Sequence, residues 1–380
     1  MHSPAVRRFI VALAGVVCLS SAPAALAQTA PCSTANPAAN TSGSGVDWTS
    51  DQAIQTAFSG ARAAEGCTVP LVLPANYDAL TPPQQTLWLV NNEREVRGLG
   101  DLTLDTTVMS QIALNHSREM AQYNYFEHSS PINQVGDASV NLPRNVVNPV
   151  FANDFFGENI AAGQRQVAAA VFSFMYNDGD QGWGHRAAIL QGAFTWLGVG
   201  IVQNAPTSQW GSYYTLDFGQ IHAGYAPPAA ADATPPATGQ VSYANGTATV
   251  MGVAASSKNA NSQGANALTA GITGVVFYTN AVADNNETYN TVVATQTPPG
   301  SGTWTATIAV NPGDVLHAVA VDGSGNFTDT TLAAAPQATT AQATTTMRAP
   351  AASNVVAPQP TATVAPARAT TPTGSKVPQR

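Results

Sequence analysis

Histidine is scarce in this chain, six in 380 residues, so the places where it stands next to acidic side chains carry information. His128 lies in YFEHSSP, Glu158 and Asn159 in GENIA, and His185 in GWGHRAAIL, each beside a turn signal. Imidazole nitrogens and a carboxylate together hold a divalent cation or serve as proton donor and acceptor. Two imidazoles and one carboxylate leave open positions on a zinc-like ion, where water or a ligand can bind. Each residue also has a plainer use. Glu158 and Asn159 suit holding the backbone amides of a loop, and His128 and His185 suit hydrogen bonds across a polar cleft.

Other candidates are weaker. Ser129 and Ser130 adjoin His128, but sequence adjacency does not place a hydroxyl on its base, and no G-x-S-x-G elbow is present. His116 falls on the packed side of a helical pattern and reads as a core histidine, while His222 and His317 read as surface or edge-strand residues. The DGSGN stretch at 322–326 lacks the spacing and terminal Glu of a calcium loop and reads as a hairpin turn. No cysteine follows Cys67, which excludes a cysteine nucleophile in this region.

The elements that must position these groups begin at Thr81, an N-cap followed by Pro82, Pro83 and a capping-box Gln84. That helix carries Leu87, Val90 and Arg94 on one side and a Glu93/Arg97 pair at i,i+4, and Gly98 ends it. Asp105 starts a second helix running to about Tyr123, with Val108, Ile112, His116 and Met120 on one side. A long irregular stretch, 131–156, follows. Further helices are predicted over Gln166–Met175 and His185–Leu190. The pattern then switches to alternation in WLGVGIVQ, where Leu197, Val199 and Ile201 share a face, and in SYYTLDFG, where Tyr214, Leu216 and Phe218 do. Helices first and an antiparallel pair last suggest an α/β sandwich closing near Gly224.

The rest of the chain sets the context. Charged residues make up 9% of it and the net charge is −8, with no basic run interleaved with aromatics, which argues against nucleic acid as a partner. After the N-terminus no apolar run is long enough to span a bilayer. Arg7 and Arg8, the run FIVALAGVVCL and SSAPAALA form the pattern of a secretory signal peptide, residues 1–27, cut after Ala27. The expected location is therefore extracellular or periplasmic. Cys32 and Cys67 then remain as an even pair, which in an oxidising compartment forms a disulfide. Residues 28–80 read as an N-terminal extension with a flexible lead-in and a short helix over Ser50–Ala64. Beyond Gly224, residues 225–238 read as a Pro/Ala linker. Short β-rich runs over 239–333 read as an immunoglobulin-like β-sandwich. Residues 334–380, rich in Ala, Thr and Pro, read as a disordered tail.

The series LVNNEREVRGLGDLTLD, IALNHSREMAQYNYFEHSSP, GENIAAG, AAVFSFM, GHRAAIL, LGVGI and YYTLDFG resembles the CAP superfamily, the domain of cysteine-rich secretory, antigen-5 and pathogenesis-related-1 proteins, in its bacterial branch. The resemblance covers about residues 81–222 and implies an α-β-α sandwich. The family's cleft commonly holds two His and two acidic residues; His128, Glu158 and His185 match three of them. The fourth position falls near Asn177, with Asp178 or Asp180 as substitutes. The resemblance also implies a cleft that takes a divalent cation (zinc or calcium), a small ligand or a lipid, while the β-sandwich is expected to meet an envelope protein or polysaccharide. Three readings stay open on these residues. One is a binding protein. Another is a metal-dependent hydrolase of peptides or wall polymers, with Glu158 as base and the histidines on zinc. The last is a structural interaction protein without ligand.

Overall fold

The computed structural model describes residues 32–128, 130, 151–221, 233–254, 272–279, 290–311, 313–322 and 325–333. The expected signal peptide, Ser129, the stretch 131–150, His222, the first part of the expected linker and residues 334–380 lie outside them.

The N-terminal half is a three-layer α/β/α sandwich. Its sheet has four strands in the order β1-β3-β4-β2, where β1 is Thr103–Leu104, β2 Phe151–Ala162, β3 Trp196–Gln203 and β4 Ser212–Ile221. β2 and β3 run antiparallel to β4, and β1 runs parallel to β3. On one face lie α1 (Asp51–Ala64), α2 (Pro82–Glu95), α4 (Val167–Tyr176) and α5 (Gly184–Ile189); on the other lies α3 (Val108–Tyr123). Local signals fix the helix ends. At α2 the Thr81 amide donates to Gln84 Oε1 at 2.9 Å, the capping-box contact. At α3 the Asp105 carboxylate accepts from the amides of Thr107, Val108 and Met109, and Asn124 in the left-handed conformation (φ 54°) closes the other end.

Alternation along β3 and β4 divides the core. Leu197, Val199, Tyr214, Leu216 and Phe218 pack with α2, α4 and α5. The intervening glycines of β3 let α3 come close. A Cβ on Gly198 would lie 2.4 Å from the Met109 carbonyl carbon, and one on Gly200 2.1 Å from that of Ala113. Small residues in the LGVGI run therefore set the distance between helix and sheet.

Two sequence expectations change here. Residues 151–162, GENIA included, form strand β2 and not a loop, because the backbone of this stretch pairs with β4 through Glu158↔Asp217 and its neighbours. The lead-in from Cys32 onward is bound to the domain. Thr41 N donates to Tyr176 O at 2.6 Å, Arg97 to Ser33 O and Arg186 to Ala35 O. Cys32 and Cys67 are joined to each other. Beneath them runs a buried ionic chain in which Glu93 accepts from Arg62, Arg97 and Tyr176, and Glu65 accepts from Arg97 and Arg186. Buried charges of this kind persist only when each is paired and hydrogen-bonded, so the extension and the CAP-like region share one core.

The C-terminal half has two four-stranded antiparallel sheets, β5-β6-β10-β9 and β12-β11-β7-β8. Their ranges are β5 Val241–Ala244, β6 Thr247–Val250, β7 Ile272–Thr279, β8 Asn290–Val293, β9 Thr295–Gln296, β10 Trp304–Thr307, β11 Val315–Asp322 and β12 Phe327–Ala333. Val250, Val275, Phe277, Leu316 and Ala318 fill the space between them. His317 sits on β11, an interior strand, where Asp329 and Tyr278 bond its Nδ1; it is not an edge residue. This module rests on α3. Asn326 Oδ1 accepts from Gln111 Nε2 (3.1 Å) and Asn115 Nδ2 (2.9 Å), and Tyr123 donates to Asp329 Oδ2 at 3.1 Å. Tyr123 also packs edge-on against Tyr278, 5.9 Å between centroids.

Candidate functional site

Glu158 lies on β2 and is fully buried. Successive side chains of a strand point to opposite faces, and here that alternation decides the site. Glu158 faces α3, where His116 Nε2 is 3.8 Å from its Oε1, while Asn159 faces α5 and donates to the carbonyl of His185 at 2.9 Å. His128, just beyond α3, places Nδ1 2.8 Å from Glu158 Oε1, with 16% of its side chain exposed against 0% for the glutamate. A carboxylate accepting from Nδ1–H fixes the ring orientation and leaves Nε2 as the lone-pair nitrogen of the neutral imidazole.

His185 belongs to the other face. Its Nδ1 lies 2.5 Å from Asp178 Oδ1, and its ring packs against Phe174 at 4.8 Å between centroids. Asp178 Oδ2 also accepts from the amides of His185 (2.8 Å) and Arg186 (3.2 Å), so this carboxylate caps α5 and holds the imidazole at once. The chain reaches that position through Gly182 and Trp183, both at positive φ (68° and 64°), a turn that reverses direction within a few residues. Of the two acids left open by the sequence, Asp178 is the one paired with histidine.

The structure thus places His128 with Glu158, and Asn159 with His185, on opposite sides of β2. Asp178 engages His185 Nδ1 as Glu158 engages His128 Nδ1, so each imidazole has its own carboxylate. Among the described residues no group of three or more His, Cys, Asp or Glu is arranged to hold a metal ion.

The α3 face holds polar residues that the sequence reading passed over. His116 is buried as expected for a core position, yet it touches Glu158, and its Nε2 bonds Glu127 O at 3.0 Å. Ser130 donates to Glu119, whose other oxygen lies 4.0 Å from His116 Nδ1. The hydroxyl beside His128 thus bonds a glutamate. Asp217, fully buried, stands directly opposite Glu158 in the β2–β4 register and so shares its face. One signal was available in the sequence: in SYYTLDFG the residues alternating with Tyr214, Leu216 and Phe218 include Thr215 and Asp217, polar positions on the α3 side. Ser117 bonds Thr215 there at 2.9 Å.

The family model for the cysteine-rich secretory protein family, CAP, matches residues 87–218. These residues therefore form a CAP domain. The CAP domain is 34% identical over 131 residues to the uncharacterized protein YkwD of Bacillus subtilis (strain 168), covering 34% of this chain and 44% of that protein. It is 33% identical over 138 residues to the uncharacterized membrane protein YlbC of the same organism, covering 36% and 34%. The chain therefore spans less than half the length of either relative. Among solved structures, the CAP domain of enterococcal PrgA is similar at 15% identity and a TM-score of 0.28, over 54% of this chain and 94% of that one.

Proposed function

We propose that this is a secreted binding protein whose CAP domain takes a small ligand at His128, and which meets an envelope protein or polysaccharide through its immunoglobulin-like β-module. The observation that carries this reading is the His128–Glu158 pair, a partly exposed imidazole oriented by a fully buried carboxylate. Such a ring presents its exposed edge in a fixed orientation, which suits the polar head group of a small molecule or lipid. The signal-peptide pattern and the Cys32–Cys67 bond support an oxidising, extracytoplasmic compartment. The docking of the β-module on α3 supports its use as a rigid presenter of the CAP domain.

The test is a thermal-shift screen with zinc chloride, calcium chloride, a long-chain fatty acid and a sterol. It is paired with turnover assays on peptides and wall polymers, with and without chelator. The expected result is a stabilising shift with the fatty acid or sterol that His128→Ala removes and His185→Asn keeps, and no turnover. Chelator-sensitive hydrolysis lost in Glu158→Gln would replace binding with a metal-dependent hydrolase. A shift that survives His128→Ala would remove the site.

A further inference from the structure

A concavity lies across the sheet from His128, along α2. It is a groove of about 380 Å³ whose floor is Leu80, Leu87 and Trp88 and whose rim includes Asn92, Glu95 and Asp101. Trp88 is held edge-on against Tyr77 at 6.0 Å between centroids, which fixes the indole as a wall. Among the described residues neither Glu95 nor Asp101 forms an ion pair. The neighbouring cation, Arg94, spends its guanidinium on the carbonyls of Gly100, Ile189, Gln191 and Phe194. Partial burial, and then the charge of Asp101, push the Glu95 carboxyl above the usual carboxylate range. Two carboxylates that repel each other beside a half-buried aromatic ring suit a cation with an apolar stem, which relieves the repulsion and lies along the indole.

One stretch of the chain carries such cations with no acidic residue among them. Residues 334–380 contain Arg348, Arg368, Lys376 and Arg380 and no Asp or Glu. The whole chain is −8, so removing these four cations leaves −12 on the rest. Two of the cations adjoin apolar side chains, Met347 and Val377. The segment follows directly on β12 and, at about 3.3 Å per extended residue, has ample length to reach α2. We propose that the segment 334–380 docks in the α2 groove of its own chain, one of its cations lying against Trp88 between Glu95 and Asp101. Intramolecular attachment makes a weak contact of this kind persist, because the local concentration of the segment is in the millimolar range.

The experiment uses the full chain and reads the indole N–H resonance of Trp88, assigned through Trp88→Phe. Three forms are compared: wild type, the charge reversal R348E/R368E/K376E/R380E, and E95Q/D101N. The proposal expects the first two to differ at Trp88, and salt at about 0.5 M to abolish the difference by screening. A free peptide of residues 341–354 should bind the charge-reversed chain at least on the order of tenfold more tightly than wild type, and should not bind E95Q/D101N. Identical Trp88 signals in wild type and the charge-reversed chain would overturn the proposal. So would equal peptide affinity for those two forms, which would mark a groove open to an outside partner. A Trp88 difference that grows with protein concentration would assign the contact to a second copy and would equally overturn it.

Discussion

Asp178→Ala separates the two histidine pairs. Asp178 is 1% exposed and makes three contacts: from the amides of His185 and Arg186 at 2.8 and 3.2 Å, and from His185 Nδ1 at 2.5 Å. Losing a carboxylate that accepts from the first amides of a helix costs about 1 kcal/mol. Leaving a buried imidazole N–H unsatisfied adds about 1–3 kcal/mol. The expected loss is therefore about 3 kcal/mol, read as the shift in urea midpoint at constant slope. His128 should not notice, because β2 stands between the pairs and Glu158 points to the other face. In a histidine-labelled sample the His128 ring signals should stay in place in Asp178→Ala and move in Glu158→Gln. A loss below about 1 kcal/mol would refute the capping role. Movement of the His128 signals as large as that caused by Glu158→Gln would refute the separation and restore a single four-residue site.

Three further outcomes are expected. Gly200→Ala drives a methyl into the α3 backbone, 2.1 Å from the Ala113 carbonyl carbon, and should cost about 3 kcal/mol or more in the same urea assay; a cost under about 1 kcal/mol would show that helix and sheet part freely. Asn326→Ala removes the buried acceptor that Gln111 and Asn115 share, and at a cost of about 1–3 kcal/mol should speed hydrogen exchange along α3 and the β11–β12 hairpin. Unchanged exchange there would mean the two halves are held elsewhere. Burial pushes the Tyr214 hydroxyl from its ordinary 10 up to about 12. Its contribution is fully present below pH 10, where both states keep the proton, and is lost as pH rises through about 12. Wild type should therefore lose about 2–3 kcal/mol across that window at 1.4 kcal/mol per pKa unit, and Tyr214→Phe should lose less; parallel alkaline unfolding curves would refute the assignment.

The helices were legible because their signals are local. Thr81 with Gln84, Asp105 with the amides after it, and the apolar spacing of α2 and α3 act within a turn or two, and the alternation of β3 and β4 states which side chains share a face. Strand β2 was not legible. GENIA follows a run rich in Asn and Pro, and its strand state comes from pairing with β4, more than fifty residues away in sequence.

The sequence alone determined the chemistry available, with His128, Glu158 and His185 the scarce side chains that match a CAP domain over residues 87–218. Only the tertiary structure decided how those groups are shared out. A strand directs consecutive residues to opposite faces, so Glu158 and Asn159 serve different layers and His185 takes Asp178 in place of Glu158. His116 moved from core filler to a neighbour of Glu158 for the same kind of reason: the glycines of β3 let α3 lie close enough to the sheet for one of its buried imidazoles to reach a carboxylate on β2.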